Sequence, residues 1–141
     1  ETVTVTTDPV VVWEWSPDGE RLAWTGLDRA DAANLARLHI WDRTTSTEIS
    51  QTPSFRPSEV TITSYYPFFT QYAVSHTSWS PDSSAYAFAG SIDGDIGVWV
   101  HVIADPELEL DAVEAARIAL GDVAFWSPDD AAAAEPAPAP F

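Results

Sequence analysis

Cysteine, methionine and lysine are all absent from the 141 residues. Without cysteine there is no disulfide framework, no thiol nucleophile and no cysteine-ligated zinc site, and nothing about redox compartment follows. Without lysine, six arginines stand against 22 acidic residues, and the formal net charge is −16. Such a surface repels phosphate backbones, which are held through Lys and Arg, so nucleic acid is not expected as a partner. Anionic membrane surfaces are disfavoured for the same reason. Two explanations of the charge stay open: a surface adapted to high salt, where self-repulsion is screened, or codon bias that replaces Lys by Arg. No apolar run is long enough to span a bilayer, and no charged-then-apolar leader opens the chain. Because position 1 is Glu, the sequence predicts a processed or truncated product, or a piece of something longer.

What the chain has is 45% hydrophobic residues, 12% aromatics and a repeated tetrapeptide. This composition suits one globular β domain with a fair core. Trp-Ser-Pro-Asp occurs at Trp15 to Asp18, at Trp79 to Asp82 and at Trp126 to Asp129. Pro17, Pro81 and Pro128 each sit where a type I turn wants a fixed φ, behind a Ser that accepts a local hydrogen bond. After the first two turns a strand-like segment follows, Leu22-Ala23-Trp24-Thr25 and Tyr86-Ala87-Phe88-Ala89, so each copy predicts a hairpin. Gly19 closes the first turn, Ser83 the second and Asp130 the third; a type I turn that needs no positive φ tolerates all three.

Around these hairpins the sequence predicts strands at Val10 to Trp15, Leu22 to Gly26, Leu38 to Asp42 and Thr47 to Gln51, a four-stranded unit over 10–51. A second unit over 75–120 uses Ser75 to Trp79, Ala85 to Gly90, Ile96 to Ile103 and Ala115 to Leu120. Residues 121–130 start a third. Glu1 to Thr7, with Val3 and Val5 alternating with Thr, predicts an edge strand, and Asp28 to Arg37 a loop or a short helical turn. Trp15 to Trp79 spans 64 residues but Trp79 to Trp126 only 47. The excess of 17 falls in an insertion over 52–74 that carries Tyr65, Tyr66, Phe68, Phe69 and Tyr72. Residues 131–141 form an Ala/Pro/acidic tail of linker composition.

Trp-Ser-Pro-Asp-Gly followed by Leu22-Ala23-Trp24 and Leu38-His39-Ile40-Trp41-Asp42 resembles the TolB-like β-propeller repeat, related in style to WD-repeat blades. The resemblance covers Val10 to Asp129 outside the insertion. It implies an all-β fold of antiparallel propeller-type blades in an incomplete ring, two full blades plus part of a third. It implies an extracytoplasmic setting, periplasmic or extracellular, and little about activity, since such propellers serve as scaffolds, adaptors and peptidase lids.

Candidate chemistry is sparse. A nucleophile elbow needs Gly-x-Ser-x-Gly, and Gly90-Ser91-Ile92-Asp93-Gly94 has Ile at the centre. His39, His76 and His101 lack paired-ligand spacing, and Asp93-Gly94-Asp95 lacks the rest of a calcium loop and predicts a turn. No catalytic residue, metal ligand or cofactor site is therefore assigned. The tryptophans form either a sugar-stacking surface or, as preferred, packing: Trp15, Trp79 and Trp126 between blades, and Trp24, Trp41 and Trp99 on strand faces. Five aromatics within eight positions of the insertion exceed what two half-covered strands need, so Tyr65, Tyr66, Phe68, Phe69 and Tyr72 are the candidate partner-binding residues. A ring needs about four blades, so the expected function is a non-catalytic interaction or scaffold module, completed by another protein chain or by more of the same polypeptide. The alternatives are the non-catalytic propeller part of a prolyl-oligopeptidase-type peptidase and a carbohydrate-binding propeller.

Overall fold

Two four-stranded antiparallel sheets make up the computed structural model, which describes residues 1–27, 35–103 and 113–127. In the first sheet β1 (Val10–Trp15), β2 (Arg21–Leu27), β3 (Ala36–Asp42) and β4 (Thr47–Gln51) lie in sequence order. All four were legible from their β-branched and aromatic content. The second sheet orders β5 (Arg56–Pro57), β6 (Ala85–Ile92), β7 (Asp95–Val102) and β8 (Val113–Ala119). The β6–β7 connection is Asp93-Gly94 with positive φ at both residues, the two-residue turn whose twist suits a hairpin. An all-β chain of two antiparallel four-stranded sheets fits the propeller-type expectation.

The two Trp-Ser-Pro-Asp turns are built alike. The Ser16 hydroxyl donates to Asp18 Oδ1 (2.6 Å) and accepts from the Arg21 N–H (3.0 Å), while the Glu20 N–H donates to Asp18 Oδ1 (3.0 Å). In the second copy Ser80 donates to Asp82 (2.7 Å) and accepts from Ala85 N–H (2.9 Å), and Ser84 N–H donates to Asp82 (3.0 Å). Ser and Asp thus saturate the backbone donors that a tight reversal leaves without a ladder partner. Burial pushes the Asp18 carboxyl up, but the hydrogen bonds from Ser16 and Glu20 and the Arg21 charge outweigh it and hold the pKa below the usual value. Bonds from Ser84 and Ser80 do the same for Asp82. One expectation fails here. The closing position does require positive φ: Gly19 has +73° and Ser83 +62°, so Ser83 carries a strain that Gly19 does not.

The sheets pack face to face through Ala23, Leu38 and Ile40 on one side and Trp79, Tyr86, Phe88 and Trp99 on the other, with Phe55 at the crossover. Hydrogen bonds tie them as well: the Trp79 indole N–H donates to the Glu14 carbonyl (3.1 Å), and Ser50 Oγ bonds His101 Nε2 (2.6 Å). The turns also touch, Asp18 N–H donating to Ser83 Oγ (3.1 Å).

The expected first strand of the second unit, Ser75 to Trp79, is replaced by a broken one. Its first half is β5, seated on β6 at Ser91 and Gly90; its second half is a single bridge, Trp79 with Tyr86. Ser58 N–H donates to Ala89 O and Ser78 O accepts from Ala87 N–H, so the chain advances 20 residues while β6 advances two. The insertion is therefore an excursion out of one strand. Gly90 permits the seating of β5, since a Cβ there would lie 2.3 Å from the Arg56 carbonyl oxygen.

Within the excursion Thr61–Tyr65 forms a π-helical turn, Tyr66–Phe68 a 3₁₀ turn and Phe69–Tyr72 one α-helical turn. Pro67 removes a backbone donor from any ladder and favours such a break. Two further expectations are corrected. Glu1 to Thr7 is not a strand; Thr4 to Thr6 lie across the outer face of the first sheet. Residues 122–126 begin the third unit without strand geometry, tied by Trp126 N–H to the Thr77 carbonyl (2.9 Å). Asp28 to Asn34, Pro128, Asp129 and the 131–141 tail lie outside the described residues.

Candidate functional site

Strand pairing defines two equivalent rows of side chains. In the first sheet Trp15, Leu22 and Trp41 lie side by side, next to the row Trp13, Trp24, His39. In the second sheet the matching rows are Trp79, Tyr86, His101 and, beside it, Phe88 and Trp99. The second set faces the first sheet and is covered: Trp79 is 0% exposed, His101 1% and Tyr86 5%. The first set faces away from the second sheet. Trp13 is 48% exposed and Trp15 43%, although each is held edge-on, Trp15 against Trp41 and Trp13 against Phe69. Trp24 and Trp41 stay buried in the same face, Trp24 stacked flat on His39 at 3.9 Å. Thr4 to Thr6 cross it and leave a groove of about 270 Å³ beside Val10, Trp13, Leu22 and Trp24.

The aromatic excursion borders this face. Phe69 packs its edge on Trp13 at 5.9 Å, and Phe68 next to it in sequence is 48% exposed. Tyr65 does not belong to the surface. It is buried, ringed by Tyr66, Tyr72 and Phe125, and burial together with the Glu14 charge pushes its hydroxyl up to about 12. Tyr66 is shifted upward mainly by its own burial. Of the five residues singled out in the insertion, Phe68 is the exposed one, Phe69, Tyr66 and Tyr72 are half-buried, and Tyr65 is core.

Beneath the excursion lies a feature the sequence hid. Glu14 points into the sheet–sheet junction at 5% exposure, its Oε1 accepting from the Thr77 hydroxyl (2.6 Å). Burial raises its pKa to about 6, opposed chiefly by the hydrogen bond from Thr77, while Oε2 is buried without a hydrogen-bond partner. Alternation along β1 carried the only clue: a Glu between two tryptophans takes the face opposite to theirs.

The structural repeat residues divide in the same way. Pro17, Asp18, Pro81 and Asp82 shape turns, Trp79 packs between sheets as expected, and Trp15 does not. Trp126 is half-buried against the outer face of the second sheet, with its indole N–H enclosed and unbonded. Among the described residues no group of three His, Asp or Glu is placed to hold a metal ion, and no helix is long and apolar enough to cross a membrane. Set beside family models, curated proteins and solved structures, the chain matches none of them.

Proposed function

We propose that the chain is a non-catalytic protein–protein interaction module, a propeller-type scaffold subunit of a larger assembly, of the TolB-like kind its repeats resemble. One observation carries this reading. The aromatic face that the second sheet buries against the first is, in the first sheet, bare at Trp13 and Trp15. Half-exposed tryptophans on one sheet face, bordered by Phe69, have the character of a partner-binding surface, where aromatic anchors supply most of the binding energy. The surrounding net charge of −16 keeps such a face soluble until it is covered. An extracytoplasmic location belongs to the same proposal and rests on the repeat resemblance.

The test is the size of the particle isolated from the cells that make the chain, measured by size exclusion with light scattering. The wild type is expected in an assembly, and a Trp13→Ser/Trp15→Ser variant as a free chain with a nearly unchanged melting curve. A wild type that elutes as a free monomer, or a double variant that remains assembled, overturns the reading.

A further inference from the structure

We infer that the bare aromatic face is made to dock on the opposite end of a second copy of this chain, head to tail, repeating between molecules the sheet–sheet junction found within one. This rests on the reading of the Trp13–Trp15 face as an interaction surface and specifies its partner.

The junction inside the chain is asymmetric. The first sheet offers a bed of small and aliphatic side chains, Ala23 and Ile40 in one row and Thr25 and Leu38 in the next, into which the second sheet sets its aromatics. Counting from the Trp-Ser-Pro-Asp turn, the outer face of the second sheet presents the same bed: Ala87 with Val100, then Ala89 with Val98. Each copy therefore carries an aromatic face at one end and the matching bed at the other. The internal junction packs an aromatic row of this kind on a bed of this kind, with the indole N–H of Trp79 received by the first-strand carbonyl of Glu14.

Both end faces are crossed by the chain's own segments, and on the bed Ala87 and Ala89 are buried, 5% and 3% exposed. Thr4 to Thr6 cross the aromatic one above its groove of about 270 Å³. Val123 to Trp126 cross the bed above a groove of about 330 Å³ lined by Ala87, Val98, Val100 and Ile118. Trp126 lies against the bed, and its enclosed indole N–H bonds nothing, whereas that of Trp79 on the first sheet bonds Glu14 O. Trp15 of an incoming copy replaces it in that seat, and residues 122–126 move aside. The opposing term is long-range repulsion between chains of charge −16, which salt screens. A contact between unlike faces closes a ring or extends a fibre. Because propellers close at roughly four to eight sheets, a chain with two closes at about two to four copies.

Sedimentation velocity of the purified 141-residue chain over a concentration series, at low and at molar salt, tests this. The wild type is expected to assemble, more tightly in molar salt, into closed particles of about two to four copies. Trp13→Ser/Trp15→Ser disables the aromatic end and Val100→Glu/Ile118→Glu the bed, each weakening assembly by more than about tenfold. Mixing the two disabled variants restores one intact contact per pair and yields a dimer and nothing larger. A wild type that stays monomeric at high concentration in molar salt overturns the proposal whether or not the variants fold. So does a mixture of two folded variants that fails to pair. If the particle from cells holds this chain once beside a different protein, the interaction reading stands and the second copy is refuted; if there is no particle at all, both fall.

Discussion

Equivalent faces of the two sheets have opposite fates. Trp79, Tyr86 and His101 share a row that water does not reach, while Trp15, Leu22 and Trp41 repeat that row at the end of the stack, where Trp15 remains 43% exposed. The same local code thus yields core in one sheet and surface in the other. What separates them is whether a neighbouring sheet is present, a property of the array and not of the residue.

The sharpest way to break this comparison is to truncate both tryptophans. Trp79→Ala removes a fully enclosed indole and its bond to Glu14 O, and is expected to cost about 3–5 kcal/mol of unfolding free energy. Trp15→Ala, half in water, is expected to cost about 1 kcal/mol or less. Urea melts of the monomer read both, and equal losses would show that the end face is core after all.

A smaller effect comes from Glu14, which sits in the covered junction. Its carboxyl holds its proton up to about pH 6 in the folded chain against a usual 4.5. Between these values the native state binds more protons than the unfolded one, so this group's contribution makes stability fall as pH rises through the window and stay low above it. A shift of this size corresponds to about 2 kcal/mol. Glu14→Gln is expected to regain much of that at pH 7 and to gain little at pH 4. A variant that is equally or less stable than the wild type at pH 7 refutes the account.

The smallest difference lies in the turns. Gly19→Ser is expected to cost about 1 kcal/mol or less, whereas Ser83→Gly relieves a side chain from positive φ but deletes the Oγ that accepts from the Asp18 N–H, so the two effects are expected to offset each other to within about 1 kcal/mol. Heat melts in which Gly19→Ser stabilises the chain would refute the strain at the closing position.

Most of the architecture was legible because the repeats carry their own punctuation. Trp-Ser-Pro-Asp marks the reversals, and the alternation in Val10 to Trp15 marks both faces of β1. What was hidden depends on contacts distant in sequence. Nothing near Ser75 announces that its strand is shared with Arg56–Pro57, because that pairing is set by Gly90, more than thirty residues from β5. The positive φ at Ser83 was masked by chemistry that normally avoids it. Within the candidate surface, Phe68 and Phe69 were visible as an aromatic excess, but Trp13 was not, since it stands outside the repeat and its exposure follows from what does not cover it. Tyr65 was misread because local density of aromatics does not tell a ring pointing inward from one pointing out.

The broken strand has a consequence for how the chain can change. Ser58 and Ser78 are held by β6 at Ala89 and Ala87, so the stretch between them is a loop whose ends are pinned close together by the sheet itself. Closing such a loop costs an entropy that grows with the logarithm of its length, about 0.6 kcal/mol for each doubling. The part of this loop around residues 67–71, away from the buried Tyr65 and from the Thr77 hydroxyl on Glu14, can therefore lengthen or accept a foreign segment while both sheets keep every pairing. The excursion is a port in the scaffold, where new recognition surface can be added without renegotiating the fold.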